Sequence, residues 1–454
     1  MERTIAALAT PAGIGGIAVI RISGDEAIVI ADKLFIGKTS LSEAKTHTIH
    51  YGSIISNGIV VDTVTAAIFR APNSYTGENV VEISCHGGYL VSGEILSTLY
   101  TAGASEALPG EFTRRAFING RMDLTQVEAV ADLIHSISVP GAASAVRQLL
   151  GGFTEKIEIF RQSLLDIASL LELELDFADE AIEFTQKTEI IARINEARDF
   201  CIELSQSYRS AEVLRKGYHV GLAGYPNSGK STLFNALLGR KRAIVSDIPG
   251  TTRDYLEDYI YLRNIPIKLI DTAGIRSSGD FIEIEGIELA ESMMLQSDLI
   301  LVLNDCAISP ANSDKLLTSL KEKIPETEII IIQNKIDIPN IELLSNMKSI
   351  RGLDIFLSAK KGMGVEELKE IIGKKASNCV DMVKDGLINR RHTLLLSQAA
   401  EALLNAVQSI ETGFENEIIS IDIRKAAKLF GEFTGESWND DVLNNVFSRF
   451  CIGK

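Results

Sequence analysis

Hydrophobic and polar positions change their rhythm three times along the chain. Up to about residue 118, short apolar runs (Gly16–Ile22, Val60–Phe69, Val80–Ser84) alternate with turn clusters, the spacing of strands in an α+β module. Within the apolar stretch from Ile5 to Ile22, Pro11, Gly13, Gly15 and Gly16 intervene, so the pattern predicts a strand, a glycine turn and a second strand. From Leu124 to about Leu214, leucine, isoleucine and alanine recur at helical spacing, with breaks near Pro140 and at Gly151 and Gly152. Strand-like runs then return at Tyr218–Ala223, Leu269–Ile270, Ile329–Ile332 and Ile355–Leu357, the first followed by a helical Thr232–Leu238. Helical periodicity resumes over Asn389–Ile410 and Ile419–Leu429. The expected fold is multidomain α/β and α. It has an N-terminal α+β domain (1–118), a helical domain in two parts (119–214 and 379–454) and an α/β domain inserted between them (215–378). Motion in such a guest acts on helices at both attachment points. The amphipathic stripes of the helices read as core-facing surfaces.

At 454 residues, two or three domains are expected, and 46% hydrophobic with 23% charged residues describes a globular chain. The net charge of −16 excludes broad, nonspecific polyanion binding, so any nucleic-acid contact rests on a local basic patch or on a partner. Candidates are Arg114, Arg115 and Arg121, then Lys241 and Arg242, then Arg390, Arg391 and His392, each read as an ordinary solvated face. The five cysteines, at 85, 201, 306, 379 and 451, show no CxxC spacing, which fits a reduced cytoplasm and argues against structural zinc. His86 has no second ligand at metal spacing and reads as a turn histidine. No window is long and apolar enough to span a bilayer.

The run GYPNSGKS (Gly224–Ser231) places glycines, a lysine and a small hydroxyl where a strand opens into a helix. Backbone N–H groups of Asn227, Ser228, Gly229 and Thr232 suit a phosphate chain, Lys230 the β/γ oxygens, and Ser231 a Mg²⁺ ion. Asn334, Lys335, Ile336 and Asp337 (NKID) follow a buried-type strand. An aspartate there accepts from the N1 and N2 donors of guanine, which adenine lacks, so GTP is favoured over ATP. Ser358, Ala359 and Lys360 follow the next strand at the distance of a loop that backs the base. Between these, Asp271, Thr272, Ala273 and Gly274 (DTAG) form a switch in which Asp271 holds Mg²⁺ through water and Gly274 meets the γ-phosphate. Upstream, GTTRD offers Thr251 and Thr252, with Thr252 the better metal ligand. Four ordered motifs identify a P-loop GTPase domain.

Ile275 stands where a Ras-like enzyme carries its water-orienting glutamine, so hydrolysis is organised differently. Asn227 either ligates a monovalent cation beside the β/γ bridge or only shapes the turn. Glu283, beyond the second switch, is either catalytic or one more solvated acid.

Together GYPNSGKS, GTTRD, DTAG, NKID, the N-terminal GIGGIAVIRISG, SYTGENVVEISCHGG and LPGEFTRRAFINGRMDLTQVEA runs and the terminal CIGK resemble the tRNA modification GTPase MnmE (TrmE) family from end to end. The resemblance implies a potassium-stimulated, cytoplasmic GTPase that forms a homodimer and joins the flavoprotein MnmG, which carries FAD, in a heterotetramer. That complex installs an aminomethyl or carboxymethylaminomethyl group at C5 of the wobble uridine (U34) of certain tRNAs. The one-carbon unit comes from 5-formyl- or 5,10-methylene-tetrahydrofolate. By the same resemblance, Asn227 ligates K⁺ with oxygens around Ser246, Ile248 and Thr251, the neighbouring Asp247 belongs to the GTP site, and Ser231 and Thr252 ligate Mg²⁺. Glu283 is then the catalytic glutamate, and Cys451 takes part in the modification chemistry. Arg21, Glu82, Arg121 and Lys454 fall on folate positions of a domain that also dimerises.

Three departures stand out: Ile14 in a GRGG-type run, Arg121 where a lysine occurs, and Ser246 for a threonine. Arginine is not readily neutralised, so position 121 suits charge pairing and not proton transfer. Glu82 suits the N–H donors of a pterin, and Arg21 and Arg121 suit a glutamyl tail. Cys451 has an inert alternative, a buried terminal cysteine. The competing function is an Era-like RNA-binding or ribosome-assembly switch, against which stands the lack of a GXXG-bearing basic module beside the GTPase.

Overall fold

The computed structural model describes residues 3–176, 186–239, 258–271, 297–306, 317–338 (less 319, 323 and 326), 355–380 and 383–453 (less 384, 385, 439, 449 and 451). These pack as two compact units, one comprising 1–134, 147–205 and 391–454, the other 135–146 and 206–390.

The first unit begins with β1 (Ile5–Leu8), β2 (Ile17–Ser23), β3 (Phe35–Gly37), β4 (Thr48–Ser56), β5 (Ile59–Phe69), β6 (Val80–His86) and β7 (Ser105–Glu106). They form one sheet in the order β3-β4-β5-β6-β2-β1-β7, antiparallel except for the β1–β7 pair. Strand periodicity sends alternate residues to opposite faces. Ile20, Ile22, Val81, Ile83 and Ile68 face a core closed by helices α1 (Ala27–Leu34) and α2 (Tyr89–Thr101). The other face carries Ile5 and Ala7, covered by Phe112 of α3 (Glu111–Ile118), and leaves room there for polar side chains. In register across β2 and β6, Arg21 sits opposite Glu82 on that second face.

Helices follow at α4 (Leu124–Ile134), α5 (Val139–Leu149), α6 (Gly152–Asp176), α7 (Lys187–Gln206) and α8 (Tyr208–Lys216). The expected break near Pro140 falls between α4 and α5, and Pro140 itself is the second residue of α5, where its missing N–H needs no partner. Gly151, at φ +93°, supplies the left-handed turn between α5 and α6.

The second unit holds β8 (Tyr218–Gly224), β9 (Asp258–Leu262), β10 (Ile265–Asp271), β11 (Leu299–Asp305), β12 (Glu328–Asn334) and β13 (Ile355–Leu357), ordered β13-β12-β11-β8-β10-β9. All neighbouring pairs are parallel except β9 with β10. The strands are apolar on both faces, as a sheet covered on both sides requires. Leu299, Leu301 and Leu303 pack with α9 (Lys230–Leu238) and α10 (Val365–Val380), while Ile300 and Val302 face a second, smaller core. The chain leaves β8 toward β10 on one side and returns to β11 on the other, so the C-terminal end of β8 is a switch point, where doubly wound sheets bind ligands.

The first unit closes with α11 (Arg390–Thr412), α12 (Asn416–Thr434) and a last helix, Asp440–Phe447. Of the basic residues read as solvated faces, Arg121 and Arg390 are exposed, whereas Arg115 and His392 are buried and Arg391 is half-buried. Arg115 is 4% exposed and bonds Glu78 and Glu111. Arg391 donates from Nε and Nη2 to the two oxygens of Glu128 on α4, each at 3.0 Å, and caps the carbonyls of Glu432 and Phe433. His392, with no exposure, stacks on Phe433 at 4.2 Å and reaches Glu128 with Nε2 at 2.7 Å. Apolar periodicity does not distinguish a cation on a solvated face from one that finds a buried carboxylate.

Burial by itself would raise the Glu128 carboxyl, but the charges of His392 and Arg391 and their hydrogen bonds outweigh it and hold it well below the usual carboxylate range. Its stabilisation is therefore complete above the unfolded-chain value near 4.5 and is lost as pH falls below that toward the lower folded value. Glu128→Ala, which strands Arg391, is expected to cost about 3–5 kcal/mol in urea unfolding at neutral pH. The difference from the parent protein should shrink as pH drops below about 4.5. A loss under about 1 kcal/mol would show the cluster to be no more than surface decoration.

Candidate functional site

The phosphate-loop motif lies at the C-terminal end of β8 and runs into α9. Gly224 (φ +148°) crosses the Leu303 carbonyl so closely that a Cβ would stand 2.6 Å from it, and Gly229 (φ +101°) turns the chain into the helix. Asn227 takes φ +64°, a left-handed conformation that asparagine tolerates better than most residues. The Lys230 ammonium donates to the carbonyls of Gly224 (2.8 Å) and Tyr225 (3.0 Å), which places its charge over the loop. Ser231 and Thr232, in the first turn of α9, are exposed beside the helix N-terminus, a place that favours anions.

The second motif converges on this loop. Asn334, 2% exposed at the end of β12, donates through Nδ2 to the Ser228 carbonyl (2.8 Å) and accepts at Oδ1 from the Ala359 N–H (3.0 Å). One carboxamide thus joins the phosphate loop, the NKID turn and the loop after β13. Asp337 accepts from Ser358 Oγ at 2.7 Å, and that hydrogen bond holds its carboxyl below the ordinary value, ionised and ready to accept. Lys360 is exposed on the same loop. Lys335, at φ +70°, extends its ammonium to Asp305 Oδ2 (2.6 Å) at the end of β11. Burial and the Asp305 charge push the Cys306 thiol up to about 11. Asp271 ends β10 in register with Leu222, two residues before the phosphate loop begins. Thus Asn227, Ser228, Gly229, Lys230, Ser231, Thr232, Asn334, Lys335, Asp337, Ser358 and Ala359 share one end of the sheet. Ser246, Asp247, Ile248, Thr251, Thr252, Thr272, Ala273, Gly274 and Glu283 lie outside the described residues, as do Lys241, Arg242, Cys451 and Lys454.

A second polar site occupies the open face of the N-terminal sheet. Arg21 bonds Glu82 from Nε (2.9 Å) and Nη2 (2.8 Å), both on Oε1. Its guanidinium lies 5.2 Å from the centre of the Tyr75 ring and 5.6 Å from that of Phe112, within cation–π range. Tyr75 also lines an open hollow of about 470 Å³ together with His47, Phe69, Asn73, Ser74 and Arg121. Of the expected folate residues, Arg21 and Arg121 therefore both lie near Tyr75, and Glu82 is tied to them through Arg21. On either side of Cys451, Phe450 packs against Gly110, and Gly453 (φ +97°) passes the Leu8 carbonyl at the end of β1 too closely for a Cβ.

Asp305 and Tyr75 escaped the sequence reading. An acid closing a parallel strand beside a phosphate loop, and an aromatic within SYTGENVV, were the available signals. His86 is not in a turn: it ends β6, where its N–H and Nδ1 meet the two oxygens of Asp62, each at 2.8 Å. Cys85 and Cys201 are buried, and burial pushes the Cys201 thiol up to about 12, so neither is a ready nucleophile. Among the described residues no His, Cys, Asp and Glu group forms a metal cluster, and no helix is long and apolar enough to cross a membrane.

A Cβ on Gly229 would collide with Asn334 Nδ2 as well as strain the backbone. Gly229→Ala is expected to weaken GDP binding by more than about tenfold in a fluorescent-nucleotide titration, the equivalent of losing one well-made hydrogen bond. Parent-like affinity would mean that the contact is dispensable.

Comparison with known proteins extends over the whole chain. Residues 4–121 match the model for the GTP-binding protein TrmE N-terminus, and residues 124–451 match that for the MnmE helical domain. A tRNA modification GTPase MnmE from Christiangramia forsetii is 40% identical over 472 residues, covering all of both chains. That from Acetivibrio thermocellus is 38% identical, covering all of this chain and 99% of its own. Among solved structures, the G domain of the T. maritima FeoB iron transporter is 32% identical, covering 35% of this chain and 98% of its own, with a TM-score of 0.25. With its phosphate-loop and NKID motifs tied together and its full length shared with these relatives, the chain belongs to the family of tRNA modification GTPases MnmE.

Proposed function

We propose that this GTPase works within a complex that modifies the wobble uridine (U34) of tRNA at C5, its nucleotide cycle timing a one-carbon transfer from tetrahydrofolate. Full-length similarity of about 40% to tRNA modification GTPases carries the reading, because it spans the N-terminal and helical parts as well as the nucleotide motifs. The helical-domain match from 124 to 451 brackets the nucleotide motifs, which supports a GTPase domain inserted in a helical one; the proposed limits are 215–378 for the insert and 119–214 with 379–454 for the helical parts. The Era-like alternative, a switch without group transfer, lacks support at that length.

At the nucleotide, Lys230 and the backbone of Asn227–Thr232 bind the phosphates, and Ser231 and Thr252 would hold Mg²⁺, which shields the phosphate charge when bound. Asp271 and Gly274 border the γ-phosphate, and Asp337 reads guanine before a backing of Ser358, Ala359 and Lys360. Asn227 already holds a left-handed turn, and with Ser246, Ile248 and Thr251 it would hold K⁺, taking the place of a water-orienting glutamine at Ile275 together with Glu283. On the N-terminal sheet, Glu82 keeps Oε2 clear of the bonds that Arg21 makes, an acceptor suited to pterin N–H donors. Phe69 and Tyr75 offer flat walls, and Arg121, with Lys454, meets the glutamyl carboxylates. Beside Cys451 in sequence, Gly453 meets the Leu8 carbonyl at the end of β1 and Phe450 meets Gly110 at the start of α3. The implied partners are a second copy, tRNA and the FAD-bearing MnmG in a heterotetramer in the cytoplasm, with 5-formyl- or 5,10-methylene-tetrahydrofolate as donor.

Nucleosides from tRNA of a strain lacking the gene should lose the C5-modified wobble uridine in mass spectrometry and regain it with the gene restored. An unchanged nucleoside profile would reject the reading. GTP hydrolysis should run at least about tenfold faster in potassium than in sodium chloride, and Asn227→Ala should abolish that difference. Equal rates in both salts would remove the cation from the mechanism.

A further inference from the structure

The most unexpected charge at the nucleotide site is an acid. Asp305 closes β11 two residues beyond Leu303, the partner of Gly224, and lies in register with Asn334. Its carboxylate is about 10% exposed and stands beside a loop built to bind polyanions, where negative charge opposes the ligand. What it does hold is Lys335, the second residue of NKID, at 2.6 Å.

Lys335 needs holding. Its φ of +70° is a left-handed conformation that strains a residue with a Cβ. Around it, the Cys306 N–H bonds the Asn334 carbonyl (3.0 Å) and the Ile338 N–H bonds that of Lys335 (3.0 Å). These two backbone bonds fix the start and the end of the turn, and the Asp305 ion pair fixes the side chain that projects from its middle.

We propose that Asp305 is a positioning residue for guanine binding: through Lys335 it sets the NKID turn in its reading conformation before nucleotide arrives. It does not touch the nucleotide itself. This rests on the assignment of NKID as the guanine-reading motif and adds a residue to it. Because the effect runs through the base-reading turn and not through the phosphates, it must be the same for GDP and GTP, and it must vanish when Lys335 is shortened.

The test is a set of Kd measurements on the full chain with fluorescent GDP and a non-hydrolysable GTP analogue. Asp305→Ala is expected to raise both Kd values by about tenfold, as for loss of a charge-assisted hydrogen bond that is partly exposed. In the Lys335→Ala background the same substitution should change them by less than about twofold. Asp305→Asn, which keeps the shape and one acceptor oxygen, should recover about half of the loss on a logarithmic scale, and it carries the test if the alanine variant does not fold. Parent-like affinities in Asp305→Ala or, failing that, in Asp305→Asn would overturn the proposal. So would a full effect that persists without Lys335, which would mark a general structural role, or a change for GTP unlike that for GDP, which would mark a direct charge effect on the phosphates. If the parent protein itself binds neither nucleotide, it is the motif assignment that fails.

Discussion

The carboxamide of Asn334 is the constraint on which the nucleotide site depends. It has one donor and one acceptor engaged, and each ends on a different loop: Nδ2 on the Ser228 carbonyl, Oδ1 on the Ala359 N–H. Buried at 2% exposure, neither bond competes well with water, so breaking either would leave an unsatisfied polar group costing about 1–3 kcal/mol. The phosphate-loop motif and the NKID turn are therefore one assembly and not two neighbours. Gly229 is required by that packing as well as by the turn, because the amide occupies the space a Cβ would take.

The same logic of a buried group bridging elements recurs in the other unit, with charge in place of a neutral amide. Glu128 joins α4 to the start of α11 through Arg391 and His392, and Arg391 in turn caps carbonyls of α12. Such a cluster is costly to assemble and more costly to break on one side, which makes the geometry of three helices specific. On the N-terminal sheet, Arg21 and Glu82 meet by strand register alone, being opposite one another on β2 and β6. There the pair stays partly exposed, with the Arg21 guanidinium over the Tyr75 ring.

Much of this was legible in the residues. The strands at Tyr218, Ile329 and Ile355 and the helix after Gly229 follow from apolar runs and glycine placement, and the phosphate loop and NKID turn lie where those elements put them. Position within a sheet was harder to read. Nothing local says that Asp305 will stand beside Asn334, because parallel register is set by strands about thirty residues apart and by what packs between them. Arg115, Arg391 and His392 read as solvated because a basic residue's partner lies far away in sequence, and only the folded chain reveals Glu78 and Glu128. His86 reads as a turn histidine for want of a second metal ligand, whereas β6 extends through it and Asp62 on the neighbouring strand meets both its N–H and its ring.

The claim that one buried amide unites the two loops before nucleotide binds is open to a direct measurement. Amide hydrogen exchange of the nucleotide-free protein, parent against Asn334→Ala, reads the Ala359 N–H at one end of the link and the phosphate-loop amides at the other. Faster exchange in both loops, with protection in β8 and β12 retained, is the expected result. Faster exchange at Ala359 alone, with the phosphate loop unaltered, would contradict it.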